Sequence, residues 1–307
     1  MRISFNEVLI IKRLCYSLIF LFIISVFAEE VNTITDYRGT ERTYQNGKLH
    51  SIKDKPAVKK KDGHKEWYYH GKLHRKNRPA IKYADGGKEY YSNGKLHNGS
   101  GPALVWSNGR KEWWIQGNKH RKNKPAVIMP DGTKMWYFEG KLHRKGKPAI
   151  EWANGNYAYF KEGMLHSYKN KAASKTEEKK EWYFNDKLHR LDDLPAVEYT
   201  NGQKEWWMNG KRSRLGNKPA IIVPKVVKEY YLNDKLHRVN GPAIDSANGY
   251  KAWYINGEKS RRDGPAEIMA NKTIVYYLNG QIHREGQPAI IKPGRPGEYW
   301  EYGRRIR

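Results

Sequence analysis

A Pro-Ala pair recurs with its proline at residues 56, 79, 102, 125, 148, 195, 219, 242, 265 and 288. Neighbouring prolines are 23 or 24 residues apart except across one gap of 47, which places a degenerate copy at Lys171-Ala172. Eleven copies therefore span residues 44–307. A period of this kind specifies a repeat array, in which each unit packs only on its neighbours.

A second marker keeps time with the first. Turn residues fall at Gly47 and then, fifteen residues after each proline position, at Gly71, Gly94, Gly117, Gly140, Gly163, Asp186, Gly210, Asp234, Gly257, Gly280 and Gly303. From each turn to the next proline the count is eight or nine, so length variation falls in that connection alone. Within "PAIKYADGGKEYYSNG" (79–94), Asp-Gly and Asn-Gly mark two tight turns around a short aromatic segment. Proline and glycine every few residues exclude helices of useful length. The expected fold is all-β: an elongated, single-layer antiparallel meander with about two strands per copy.

Strand periodicity sorts the aromatic pairs by face. Four residues before the turn stand Trp67, Tyr90, Trp113, Trp136, Tyr159, Trp182, Trp206, Tyr230, Trp253, Tyr276 and Tyr299. Two before it stand mainly apolar residues, Tyr69, Ile115, Phe138, Phe184, Met208, Leu232, Ile255 and Leu278, and these two positions together are expected to form the sealed face. The opposite face carries a second column, Tyr68, Tyr91, Trp114, Tyr137, Tyr183, Trp207, Tyr231, Tyr254 and Tyr277, often with Glu two residues earlier. That column is either self-packing or an accessible binding surface.

Nine of the eleven histidines share one position after the turn: His50, His74, His97, His120, His143, His166, His189, His237 and His283, with Ser213 and Ser260 replacing it in two copies. Two strands per copy space them by ~9.6 Å, too far apart to share one zinc. No cofactor or metal is expected. The imidazoles are expected to hydrogen-bond backbone in the loop before Pro-Ala. Arg75, Arg121, Arg144, Arg190, Arg214, Arg238, Arg261 and Arg284 follow this position and predict a basic edge.

The segments "DGTKMWYFEGKLHRKGKPA" (131–149) and "NGYKAWYINGEKSRRDGPA" (248–266) resemble a divergent MORN repeat. They resemble in particular a "WYxNGKLHRxxGPA" variant met in uncharacterised giant-virus, phage and bacterial proteins. The family's glycine between aromatics is absent, and its "HGxG" becomes "HRxxGPA". The resemblance implies a β-meander that contacts proteins or membranes, often self-associating, without catalysis of its own.

Residues 1–28 differ from the rest. Arg2, Lys12 and Arg13 precede or flank the apolar run Leu14–Ala28, with Val26 and Ala28 at the −3 and −1 positions of a cleavage site. This pattern predicts a secretory signal peptide, with an N-terminal membrane anchor as the alternative. The sole cysteine, Cys15, lies in this run, so the exported chain would have no disulfide. Residues 29–43 form a lead-in. The formal charge of +26 favours polyanionic partners or acidic surfaces. Asn98 and Asn271 begin glycosylation sequons. Near 164–181 the sixth copy loses its proline and Asp-Gly turn, predicting a looser segment.

The chain is therefore expected to be a non-enzymatic exported scaffold that binds a protein partner or surface through its aromatic and basic face. The alternative is binding of a glycan or polyanion, with anionic glycan, lipid or nucleic acid as partner classes. No nucleophile, paired carboxylates or metal set stands out from the repeated background.

Overall fold

The computed structural model describes residues 30–307, so the signal-peptide expectation lies outside the described residues. The chain divides into two compact units, one ending at His120 and the other beginning at Arg121. Within each unit the fold is an all-β antiparallel meander, and no helix occurs among the described residues.

One copy shows how it is built. Ile81–Lys82 pairs antiparallel with Lys88–Glu89, which in turn pairs with Leu104–Val105 of the next copy. The chain then leaves this ladder at Tyr90 and forms a second hairpin, Tyr91–Ser92 with Lys95–Leu96. Such a copy supplies two ladder strands and a separate outer hairpin, four short strands rather than the two expected, and in the last copy the second ladder strand is reduced to a single bridge, Ile290 to Glu298. The outer hairpin turns at Asn93 (φ 51°) and Gly94 (φ 79°), the double positive-φ geometry that Asn-Gly favours. A Cβ on Gly94 would meet Lys72 at an ordinary 3.7 Å, so conformation and not space selects glycine there. Asp186 (φ 63°) and Asp234 (φ 65°) accordingly stand in for it.

The alanine of each Pro-Ala pair joins successive copies. Ala80 N–H donates to Glu89 O of its own copy, and Ala80 O accepts from Trp67 N of the preceding one. Ala80, Ala103, Ala126 and Ala149 are fully enclosed, which leaves no room for a larger side chain.

Each face of the ladder carries its own small core. On one, Val58, Ile81 and Leu104 stand opposite Glu66, Glu89 and Glu112, and the three aliphatic side chains are buried. On the other lie the aromatics four residues before the turn, among them the buried Trp67, Trp136, Trp182 and Trp206. The sealed-face expectation fails for the residues two before the turn. Tyr69, Phe138, Phe184, Met208 and Ile255 are exposed, and Ile115, Leu232 and Leu278 are half-buried. The step out of the ladder carries the outer hairpin beyond the cover that shields the preceding aromatic.

The degenerate copy is shifted by one from its expected place. Tyr159 N donates to Ala173 O, so Ala172-Ala173 and not Lys171-Ala172 replaces Pro-Ala. Only fourteen residues then separate Ala172 from Asp186, because the ladder turn has lost one residue. Ser174 pairs with Glu181 and Lys175 with Lys180, where Ile150 pairs with Ala158. Thr176 closes this shortened turn by accepting the N–H of Glu178 and Lys179 through Oγ1. The ladder is unbroken through the copy within its unit.

Candidate polyanion-binding surface

The arginines expected to form a basic edge are half-buried staples. Arg75, Arg144, Arg190 and Arg214 lie over Trp67, Trp136, Trp182 and Trp206 at 3.6–3.8 Å from the ring centroids. Arg238, Arg261 and Arg284 cover Tyr230, Trp253 and Tyr276 in the same way, at 3.8, 4.3 and 3.8 Å. In every one of these copies, and from Arg121, a guanidinium N–H also donates to the carbonyl of the following proline. Spacing along the sequence showed the row of charges but not the ring beneath each. Three copies have Ser51, Asn98 and Ser167 in place of the arginine, and Asn98 Nδ2 makes the same bond to Pro102 O at 2.9 Å. That sequon nitrogen is thus part of the fold, whereas Asn271 is exposed in a ladder turn, its Oδ1 accepting Thr273 N–H.

The connection that varies in length has a matching role. Its five-residue forms, 51–55, 167–171, 190–194 and 214–218, all place Asp or Asn fourth, at Asp54, Asn170, Asp193 and Asn217. Each accepts from the arginine of the next copy. Where a tryptophan follows, the backbone carbonyl of that fourth residue also accepts its indole N–H, at 2.9–3.1 Å. Arg214 and Lys218 together hold the Asp193 carboxyl well below its ordinary range.

The second aromatic column is half-buried throughout. Its polar atoms point inward to glutamates two residues earlier: Tyr68 to Glu66, Tyr91 to Glu89, Trp114 to Glu112, Trp207 to Glu205 and Tyr231 to Glu229. Tyr277 reaches Glu267 instead, and Tyr183 lies beside Glu181. Residues two before the glutamates often complete the set, as with His64 to Glu66, Gln203 to Glu205 and Arg110 to Glu112. Glu112 is almost wholly enclosed by Arg110, Trp114 and Lys119. Met135 and Ala252 replace the glutamate before Tyr137 and Tyr254, and Phe160, which has no donor, follows Ala158. Burial pushes the Tyr231 and Tyr277 hydroxyls up to about 12, with the neighbouring carboxylates adding to the effect.

The histidine column does bond backbone, but at a different place from that expected. His50, His74, His97, His143, His189, His237 and His283 accept through Nδ1 the N–H of the residue before the next copy's hairpin turn glycine or its equivalent, at 3.1–3.3 Å. Beside this bond, the turn N–H, such as Gly94 N, donates to the preceding leucine carbonyl. The imidazoles therefore stack the outer hairpins. His166 meets Asn185 Oδ1, and Ser213 and Ser260 make no equivalent side-chain bond among the described residues. Among the described residues no group of three or more His, Cys, Asp or Glu is placed to hold a metal ion.

With the column arginines engaged, the accessible positive charge of the ladder is lysine, and strand register distributes it unevenly. In the first unit Lys59 stands opposite Lys65, Lys65 opposite Lys82, and Lys82 opposite Lys88. Lys111 follows beyond Val105. Lys59, Lys82, Lys88 and Lys111 are exposed and Lys65 half-buried. Only the first of this row makes an ion pair among the described residues, with Glu41 at 3.1 Å. The second unit has one lysine–lysine pair, Lys175 opposite Lys180, and otherwise places acids between its lysines: Glu151 opposite Lys134, Glu198 between Lys180 and Lys204, and Asp245 between Lys228 and Lys251. The first-unit ladder was not identified from sequence, although the registered turns were legible and each lysine stands at a fixed distance from one.

No protein-family model matches this chain, and no curated protein matches it.

Proposed function

We propose that the chain is a non-enzymatic, MORN-like repeat scaffold, exported through its N-terminal segment, that binds a linear polyanion along the first-unit lysine ladder. The observation that carries this is the run Lys59–Lys65–Lys82–Lys88 in direct cross-strand register. Like charges directly opposite one another destabilise a sheet, and a chain of anions laid across the strands relieves that repulsion. At the ordinary interstrand spacing the four ammonium groups span roughly 14 Å. Export favours an anionic glycan as the ligand.

Heparin titrated into the full chain tests this. Lys65→Gln with Lys82→Gln and Lys88→Gln should weaken binding at least tenfold. The same number of changes among the exposed second-unit lysines, Lys187→Gln, Lys211→Gln and Lys235→Gln, should have little effect. Equal losses from both sets would show that net charge alone is responsible. A single-stranded oligonucleotide run in parallel distinguishes a glycan preference from general polyanion binding.

A protein partner is the second reading, favoured by the exposed row Phe138, Phe184, Met208 and Ile255 on the outer hairpins of the second unit. Loss of a captured protein on Phe138→Ser with Phe184→Ser, with heparin binding intact, would support it.

A further inference from the structure

Trp136 differs from the other buried indoles. Trp67, Trp182 and Trp206 each follow a five-residue connection whose backbone carbonyl accepts the indole N–H. The connection before Trp136, residues 121–124, is one residue shorter. Trp136 is 7% exposed, and its Nε1 is buried without a protein acceptor among the described residues. A buried donor left in this state keeps its full desolvation cost with no hydrogen bond to offset it.

The arginine above it also lacks the contact that the five-residue connections provide. Arg75 and Arg214 turn Nε and Nη2 onto both carboxylate oxygens of Asp54 and Asp193 in the preceding connection. Arg144 lies over Trp136 and donates from Nη1 to Pro148 O and Glu151, but makes no such contact with the preceding connection. Arg121, Lys122, Trp136, Arg144, Lys145 and Lys147 line one cleft of about 480 Å³, and no carboxylate is among its lining residues. Two sibling copies thus carry their own carboxylate, and the third the Asn170 amide, where this copy gathers five cationic side chains and an unpaired indole donor.

We propose that this cleft binds a phosphate-type oxyanion. One oxygen accepts from Trp136 Nε1 and others from the Arg144 fork, in the role that Asp193 and its backbone carbonyl fill for Trp206 and Arg214. Lys122 and Lys145 supply charge at the rim. Five cations favour a dianion over a single carboxylate. The site belongs to the second unit and is independent of the lysine ladder, so either can fail without the other.

The test is titration of the full, isotopically labelled chain with inorganic phosphate at constant ionic strength, following the indole N–H resonances. The Trp136 signal is identified by its absence in Trp136→Phe. The expected result is a saturable shift confined to Trp136 among the indoles, with acetate at least tenfold weaker. Glycerol phosphate in a parallel titration shows whether a phosphate monoester is accepted as well as the free ion. Arg144→Gln should weaken binding at least tenfold. Replacing Lys122–Lys124 with the sequence of Leu191–Leu194 installs an internal carboxylate and should abolish the response while the remaining indole signals keep their positions. A Trp136 resonance that stays still up to on the order of 10 mM phosphate, or a response that survives the replacement, would overturn the proposal.

Discussion

Replacing Arg214 tests whether the arginines hold the array together or merely decorate it. Its guanidinium lies 3.7 Å from the Trp206 ring centroid, donates to Pro219 O at 3.1 Å and grips both oxygens of Asp193 at 2.7 and 3.0 Å. The ring contact is worth about 1 kcal/mol in a partly desolvated site. The charge-assisted bond to the carbonyl adds about 1.5 kcal/mol. Asp193 is 42% exposed, and solvent screening reduces its contribution to about 0.5 kcal/mol. Arg214→Ala should therefore destabilise its copy by about 3 kcal/mol. Arg214→Lys keeps the charge but loses the flat fork, and should cost about 2 kcal/mol. Repeat arrays open locally, so native-state hydrogen exchange is the appropriate assay. Protection of the Trp206 and Ala220 amides should fall on the order of a hundredfold in the alanine variant. Loss within threefold for both variants, or a lysine variant indistinguishable from the parent, would refute the staple.

Three further outcomes follow from the same contacts. Glu112→Ala should cost about 3–5 kcal/mol, because it strands Arg110 and the Trp114 indole around an enclosed site; urea denaturation of the first unit's signals measures it. Ala149→Leu should cost about 1–3 kcal/mol by overpacking a residue with no exposed surface, seen as a lower thermal midpoint. The Tyr231 and Tyr277 hydroxyls are raised to about 12, so the stability they confer is complete below the ordinary tyrosine value of 10. It declines as pH rises from 10 towards 12, and tyrosinate absorbance followed alongside circular dichroism should show ionisation accompanying unfolding.

Much of the fold was legible because turn chemistry repeats. Asn93-Gly94 and its counterparts announce the outer turns, and the enclosed alanines follow from a Pro-Ala pair that recurs in nearly every copy. Alternation also placed Glu66 and Tyr68 on one face correctly. Burial was legible for the column of Trp67, Trp136, Trp182 and Trp206 but not for the residues two before the turn. It depends on the chain leaving the ladder at positions such as Tyr90, which exposes Tyr69 and Phe138 while Trp67 and Trp136 are capped. The arginines were visible as a row, but a row of charges looks alike whether it faces water or lies over a ring. The variable connection looked like slack, and its fourth-residue Asp or Asn acquires meaning only once it meets the next copy's arginine. The lysine ladder depends on register, which emerges only when Lys65 is paired with both Lys59 and Lys82.

The salt dependence of heparin binding is the most direct test of the ladder. Each lysine that meets an anion releases counterions, so the logarithm of affinity falls linearly with the logarithm of salt, with a slope of roughly 0.7–0.9 per contact. Four ladder lysines predict a slope of about −2.8 to −3.6 for the parent chain, falling to about −0.7 to −0.9 when Lys65, Lys82 and Lys88 are changed to glutamine. A slope left unchanged by those three substitutions would contradict the assignment of the polyanion to this surface.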